Sequence, residues 1–508
     1  MSNKNSRIKN ATYNSASGMA YQLLNSVLAL VYRTAVIKVL GVEYLGINGL
    51  FSNVLMLLSL TELGINVAIT FRMYEPAQNE DYVRLSALIS FFERIYKVIA
   101  LIVLVMGLCL MPFLKLLIKD LNEVSSDVNI YLVYIIMLVQ SSTSYLFTCR
   151  QTLLQAWQQD YINNVFRIIY SILLYTVQIG CMIIYRDYTL VLIVATLFGV
   201  IMNWVYYVLI EYQYKEVFAE QTDLAKEEKN EIFHETKALL FHKVGGAVLQ
   251  STDSLVISKF LGLGVVGIYS NYTVITQTIA ALVAKFFNGT VAGVGNVNVT
   301  ESSDKLHNIY MDLSLMVMWA ASYCSVCLFV CFNPFITIWV GKKLCLSVLD
   351  VFTIAFSFYV VNSRFINTIY VNACGLYYLD QFRPLLEAGI NIVLSVILAR
   401  YYGVAGVCIG TIVSEGVTAW WREPYLLYKK LFDRSAAKYW RLTAFMMAST
   451  VVLQLGIHYV CSYLAENWIG LILRVVCCTI LVNLFYYLFF RKTDSYKYIK
   501  SRVRSILK

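Results

Sequence analysis

Charge is scarce in this chain. Only 14% of its 508 residues are Asp, Glu, Lys or Arg, where a soluble globular domain carries roughly 25%. A water-exposed surface of ordinary size cannot be covered by so few charges, and a soluble protein is excluded. Proline is scarcer still, at 5 residues, so long helices run without interruption. The 4 histidines (His234, His242, His307, His458) are too dispersed for a zinc-type cluster. Nucleotide-driven and covalent chemistry are missing as well. There is no GxxxxGK[ST] loop, no GxSxG and no HExxH; the GKK at Gly341 lacks both the upstream glycine and the Ser/Thr. The expectation is no enzyme and no cofactor.

What is present is apolar. Hydrophobic residues make up 59% of the chain, in runs of about twenty that recur from end to end, each long enough to cross a hydrocarbon core as a helix. The first run, 18–40, is too long for a signal-peptide core and has no small-residue cleavage site, so it reads as a span. The 12 cysteines lie mostly inside apolar runs, where they act as small packing residues. The fold class is therefore all-α and polytopic, with about fourteen spans near 17–39, 45–71, 95–114, 129–149, 161–184, 188–210, 237–258, 266–289, 310–332, 347–371, 384–400, 404–427, 440–463 and 468–490. With both termini in the cytoplasm, 27 of the 41 Lys and Arg fall on the cytoplasmic side and 8 outside, the bias that sets orientation.

The organisation is repetitive. KVLGVEYLGI at 38–47 returns as KFLGLGVVGI at 259–268, with Lys38/Lys259, Leu40/Leu261, Gly41/Gly262, Gly46/Gly267 and Ile47/Ile268 identical. The first joins span one to span two and the second joins span seven to span eight. That spacing predicts two parallel six-helix lobes, 1–210 and 237–430, separated by a charged cytoplasmic linker, 211–236. Residues 431–508 add a helix pair and a basic tail, YKYIKSRVRSILK, whose apolar residues recur at helical spacing, so that it either lies on the inner leaflet or is solvated.

Charge inside spans is costly and calls for a partner or a cavity. Arg33 and Arg364 lie deepest. Arg167, Lys243 and Lys285 lie nearer span ends, where a long side chain reaches headgroups, and Arg474 lies near the outer end of span fourteen. The in-span acids are Glu62, Asp253 and Glu415, with Asp312 and Glu387 nearer the ends. Polar stripes accompany them: Asn14, Gly18, Tyr21, Asn25 and Tyr32 on span one; Lys243, Gly246, Gln250 and Ser254 on span seven; Ser357, Arg364 and Asn367 on span ten. The candidate substrate-binding residues are Arg33, Asn25, Tyr21, Lys243, Gln250, Arg364 and Asn367, lining a cationic central cavity. Glu62, Asp253 and Glu415 are candidates for cation coupling or charge pairing. Cations with neutral polar walls suit an anion that carries hydroxyls, such as phosphate joined to carbohydrate.

Three stretches carry a family resemblance. LGVEYLGINGLFSNVLMLLSLTELGI (40–65), preceded by NATYNSASG (10–18) and followed by AITFRMYEP (68–76), resembles the Wzx-type polysaccharide flippases, a branch of the MOP superfamily that also holds the MATE exporters and the lipid II flippase. STDSLVISKFLGLGVVGIYSNY (251–272) resembles the entry to that family's second lobe, and YYGVAGVCIGTIVSE (401–415) its eleventh-to-twelfth helix turn. The resemblance implies translocation of undecaprenyl-diphosphate-linked oligosaccharide units from the inner to the outer leaflet of the bacterial plasma membrane, by alternating access, for capsule or O-antigen synthesis. It also implies coupling to Na+ or H+, partners such as a polysaccharide polymerase and a chain-length regulator, and a lipid-facing role for the last helix pair. The rivals are a MATE-like cation-coupled exporter of small molecules and a membrane polysaccharide polymerase. No nucleic-acid partner is expected.

Overall fold

A computed structural model describes residues 2–59, 65–119, 128–218, 222–288, 303–374, 376–493 and 496. Those residues are almost entirely helical and include no strand. Among the described residues ten helical segments are long and apolar enough to cross a membrane, so the chain is a multi-pass membrane protein. Over the described residues, each of the fourteen segments expected from the sequence falls mainly on helix.

By compactness the chain divides into two units, residues 1–267 and 268–508. The first holds α1 (Ser2–Val39), α2 (Val42–Leu58), α3 (Ile65–Gln78), α4 (Tyr82–Leu110), the short α5 (Leu114–Leu117), α6 (Ile130–Ala156), α7 (Asp160–Tyr185), α8 (Tyr188–Gln213), the short α9 (Lys215–Phe218) and α10 (Lys226–Leu261). The helix α11 (Leu263–Asn288) begins at its end. The second unit continues with α12 (Ser303–Trp339), α13 (Val348–Ser363), α14 (Phe365–Ala373), α15 (Arg383–Val417), α16 (Ala419–Leu427), α17 (Ala437–Cys461) and α18 (Trp468–Phe490).

Short polar side chains start these helices. Asp81, Asn129, Asp187 and Asn467 each accept a hydrogen bond from a first-turn amide of α4, α6, α8 and α18, which satisfies donors that a helix leaves open. The start of α7 has no such cap of its own. Asn14 of α1 supplies it from outside, accepting from the Tyr161 amide at 2.7 Å and donating to the Gln158 carbonyl at 2.9 Å. The lower part of the span-one polar stripe thus fastens α1 to α7. The α15 segment is two helices in sequence, folded at Gly403, whose φ of 59° and ψ of −131° suit glycine alone. Asp350 braces that fold by accepting from the Ala405 amide at 2.8 Å.

The repeated sequence has a physical meaning inside the first unit. Gly41 and Gly262 occupy equivalent places before α2 and α11, with φ of 126° and 96°. A methyl group added to Gly46 would collide with the Leu263 carbonyl oxygen, and one added to Gly267 would collide with the Val42 carbonyl oxygen. Val42 and Leu263 are themselves equivalent positions of the repeat. The two copies therefore touch each other reciprocally, backbone against backbone, at a distance that only glycine allows.

At its other end α10 is held by ions. Arg84 and Arg72 meet Glu228 at 3.2 and 3.9 Å, and Arg72 meets Glu231 at 3.2 Å. The segment leading to it is anchored by Arg150, which is buried at 7% exposure. Arg150 pairs with Glu211 at 2.6 Å and lies between the rings of Tyr207 and Phe218, 3.4 and 4.5 Å from their centres. In the second unit the last two helices, α17 and α18, join α12 through hydroxyls: Ser322 with Tyr486 at 2.7 Å, Thr450 with Ser322 at 2.8 Å and Gln454 with Ser325 at 2.9 Å. Where hydrocarbon surrounds a bundle, such bonds between helices replace the hydrophobic drive.

Candidate functional site

A polar cavity in the first unit and an ion network in the second differ in kind. In the first unit a cavity of about 270 Å³ opens between α1, α6, α7 and α8. Tyr21 and Asn25 of α1 line it, opposite Arg167, Tyr170, Ser171 and Tyr175 of α7. Gln151 and Asn203 complete the polar wall. No carboxylate lines it, and among the described residues no ion pair involves Arg167. The arginine is placed by its neighbours. Asn163, fully buried, donates to the Gln151 carbonyl at 3.0 Å and accepts from the Tyr206 hydroxyl at 2.7 Å. Phe166 stacks on Tyr206 with ring centres 3.8 Å apart. These contacts fix the first turn and a half of α7, from which Arg167 projects. Arg33 lies two turns beyond Asn25 on α1, beside Tyr32 and Tyr175, whose rings are 5.5 Å apart.

In the second unit the charges close on each other. The chain leaves the helical path at Arg364, between α13 and α14. There the guanidinium makes a two-point bridge to Glu415, at 2.7 and 3.0 Å, and a further bond to Glu423 at 2.8 Å. Arg383 binds Asp380 at 2.6 Å, Glu387 at 2.5 Å and Glu423 at 3.3 Å. Arg422 approaches Asp380 at 3.5 Å. Three guanidiniums thus face four carboxylates, all four of which are buried. Beside them Asn367 accepts from the Tyr310 hydroxyl at 2.8 Å and donates to that of Tyr439 at 2.9 Å.

The residues expected to line one cavity are accordingly sorted. Tyr21 and Asn25 do share a cavity, and Arg33 lies along the same helix. Arg364 is committed to carboxylates and Asn367 to tyrosines, so neither offers its polar atoms to a ligand. Glu415 is the partner of Arg364. Asp253 is half-buried on α10. Glu62 and the side chains of Lys243 and Gln250 lie outside the described residues. Arg167, near a span end where a long side chain can also reach headgroups, is the cation that lines the first-unit cavity. Its register gives the signal: Arg167, Tyr170, Ser171 and Tyr175 fall on one face of α7. Arg474 is also accounted for. It donates to the Ala465 and Leu464 carbonyls at 2.8 and 2.7 Å and ties down the turn between α17 and α18.

The chemistry of the first cavity is that of anion and hydroxyl recognition. One guanidinium, three amides, a hydroxyl and three tyrosines offer donors and apolar ring faces together. A family model described as polysaccharide biosynthesis protein matches residues 11–291. No protein of curated function matches the chain. Among solved structures, the lipid II flippase MurJ in an inward closed conformation is similar with a TM-score of 0.67 at 12% identity, over 94% of this chain and 98% of that one. An inward-facing multidrug resistance MATE family transporter of the MOP superfamily gives 0.64 at 12% identity, over 83% and 100%. The Vibrio cholerae MATE transporter VcmN in the bent form gives 0.55 at 14% identity, over 89% and 100%. At such identities the likeness is one of fold.

Proposed function

The chain belongs to the polysaccharide biosynthesis protein family, and on that premise we propose that it is a flippase for undecaprenyl-diphosphate-linked oligosaccharide repeat units. It carries them from the inner to the outer leaflet of the bacterial plasma membrane and supplies capsule or O-antigen-type polymer synthesis. The observation that carries the reading is the first-unit cavity, with Arg167 among neutral polar walls and no carboxylate. A diphosphate binds the guanidinium through charge-assisted hydrogen bonds, sugar hydroxyls bond Asn25, Gln151 and Asn203, and sugar faces lie on Tyr170 and Tyr175. The polyprenyl tail stays in lipid, so only the headgroup needs shelter from hydrocarbon. Arg33, further along α1, gives the diphosphate a second cation on its path. Sodium or protons drive the cycle, with Asp253 of α10 as a coupling carboxylate. Both termini face the cytoplasm.

The test is leaflet exchange in vesicles. Purified protein reconstituted with a fluorescent undecaprenyl-diphosphate oligosaccharide is expected to move label across the bilayer faster than protein-free vesicles. Arg167→Ala is expected to slow exchange about tenfold, the loss of one hydrogen bond to a charged group. Exchange no faster than in protein-free vesicles, together with uptake of a cationic dye, would instead support the small-molecule exporter.

A further inference from the structure

A second cavity, of about 560 Å³, lies in the second unit against the turn before α15 and the junction of α15 with α16. Its walls are largely apolar, made by Leu379, Phe382, Leu386, Val417 and Trp421. Four of these are well exposed: Phe382 61%, Leu386 62%, Val417 52% and Trp421 45%. At its floor stand Asp380 and Arg422. Their ion pair is incompletely closed. The Arg422 Nε is 3.5 Å from the Asp380 Oδ1, and that oxygen is buried without any hydrogen bond. Arg422 makes only a 3.5 Å bond to the Leu379 carbonyl. The Asp380 residue is 4% exposed, and its other oxygen is already held by Arg383 at 2.6 Å.

A buried carboxylate oxygen without a donor is costly. Here it belongs to a residue that lines a cavity and sits next to a guanidinium with bonding capacity left over. A plain anion answers Arg422 alone, and it meets a network that already holds one carboxylate too many. A plain cation answers Asp380 alone, next to two arginines. A zwitterion laid antiparallel across the pair answers both, with its phosphate on Arg422 and its N–H donors on Asp380 Oδ1. The apolar walls then take hydrocarbon attached to the phosphate. We infer that this cavity binds a phospholipid with a primary-ammonium headgroup, of the phosphatidylethanolamine kind. This site is separate from the cavity around Arg167 and is independent of the substrate proposed above.

The full-length protein in mild detergent is titrated with phosphatidylethanolamine, phosphatidylcholine and phosphatidylglycerol of identical acyl chains, and bound lipid is read by native mass spectrometry. Phosphatidylcholine keeps the charge but has no N–H donor; phosphatidylglycerol has no cation. The ethanolamine lipid is expected to half-saturate at about tenfold lower concentration than either. Arg422→Gln should remove roughly that advantage, and Asp380→Asn should make ethanolamine and choline lipids equal. Trp421→Ala should weaken all three together. If Asp380→Asn does not fold, the Arg422 and Trp421 variants decide. Equal binding of the three lipids overturns the inference, as does binding of the ethanolamine lipid unchanged in both those variants. Soluble O-phosphoethanolamine competing as well as the lipid also overturns it, because the apolar walls then contribute nothing.

Discussion

Arg167 and Arg364 are the same residue type on helices of a multi-pass membrane protein, and the protein treats them oppositely. Arg364 sits where α13 breaks into α14 and is closed by Glu415 and Glu423. Arg167 sits on an unbroken helix and faces a cavity with amide, hydroxyl and ring neighbours but no acid. A cation placed in an apolar bundle needs an answer. In one region the fold supplies it; in the other the cavity leaves room for the ligand proposed above. A position within a span therefore does not by itself mark a binding arginine; a cavity that lacks carboxylates is the feature that separates Arg167 from Arg364.

The comparison breaks most visibly at Arg364. Its loss leaves Glu415 and Glu423 buried without their counter-ion, and removing one member of a buried pair typically costs about 3–5 kcal/mol. Arg364→Ala is expected to lower the unfolding temperature of the purified protein sharply and to reduce its amount in the membrane. Arg167→Ala should change unfolding by less than about 1 kcal/mol while slowing leaflet exchange. Thermal unfolding and exchange, measured on the same two variants, separate a cation that holds the fold from one that holds a substrate. Equal unfolding temperatures for the two would abolish the distinction.

Next in size are the glycines of the repeat. Gly46→Ala and Gly267→Ala each push a methyl into a backbone carbonyl of the opposite copy, and such overpacking costs about 1–3 kcal/mol. Because the contacts are reciprocal, the two losses should match. Gly180→Ala is the control, since a methyl there meets nothing within 4 Å and should be neutral or slightly stabilising, as alanine favours helix over glycine. Unfolding midpoints that differ widely between Gly46→Ala and Gly267→Ala would show that the repeat is not symmetric in energy.

Much of this was legible in the sequence and some was not, for definable reasons. Helices in a membrane announce themselves through local apolar runs, and the break at Gly403 was anticipated between the segments 384–400 and 404–427. The repeated glycines pointed to two equivalent hairpins, although not to their touching each other. The ion network was not legible. Glu423 lies 59 residues from Arg364, and Arg383 and Arg422 looked like ordinary cytoplasmic loop charges because their counts suited the orientation. The trace available was Glu423 itself, a carboxylate at the end of an apolar run with Glu415 two turns before it on the chain. Arg167 was missed through its position near a span end, where reaching headgroups is the usual outcome. The arrangement of Tyr170, Ser171 and Tyr175 on its face outweighs that default.

The smallest expected effect concerns the charged end of α10. Its pairs with α3 and α4 are partly solvated: in the Arg84–Glu228 pair the side chains are 43% and 20% exposed. Exposed pairs contribute roughly 0.2–1 kcal/mol and are screened by salt. They differ in this from the Arg364 network, which shares the chemistry but lies out of water. Glu228→Gln removes the negative charge that faces both Arg72 and Arg84. Its unfolding midpoint should fall slightly below that of the unaltered protein at low ionic strength and coincide with it near 0.5 M salt, where the Debye length is about 4 Å. The cost of Arg364→Ala should persist at the same salt concentration. A Glu228→Gln deficit that stayed constant with added salt would place this end of α10 out of water and make the ionic hold on it as strong as the buried one.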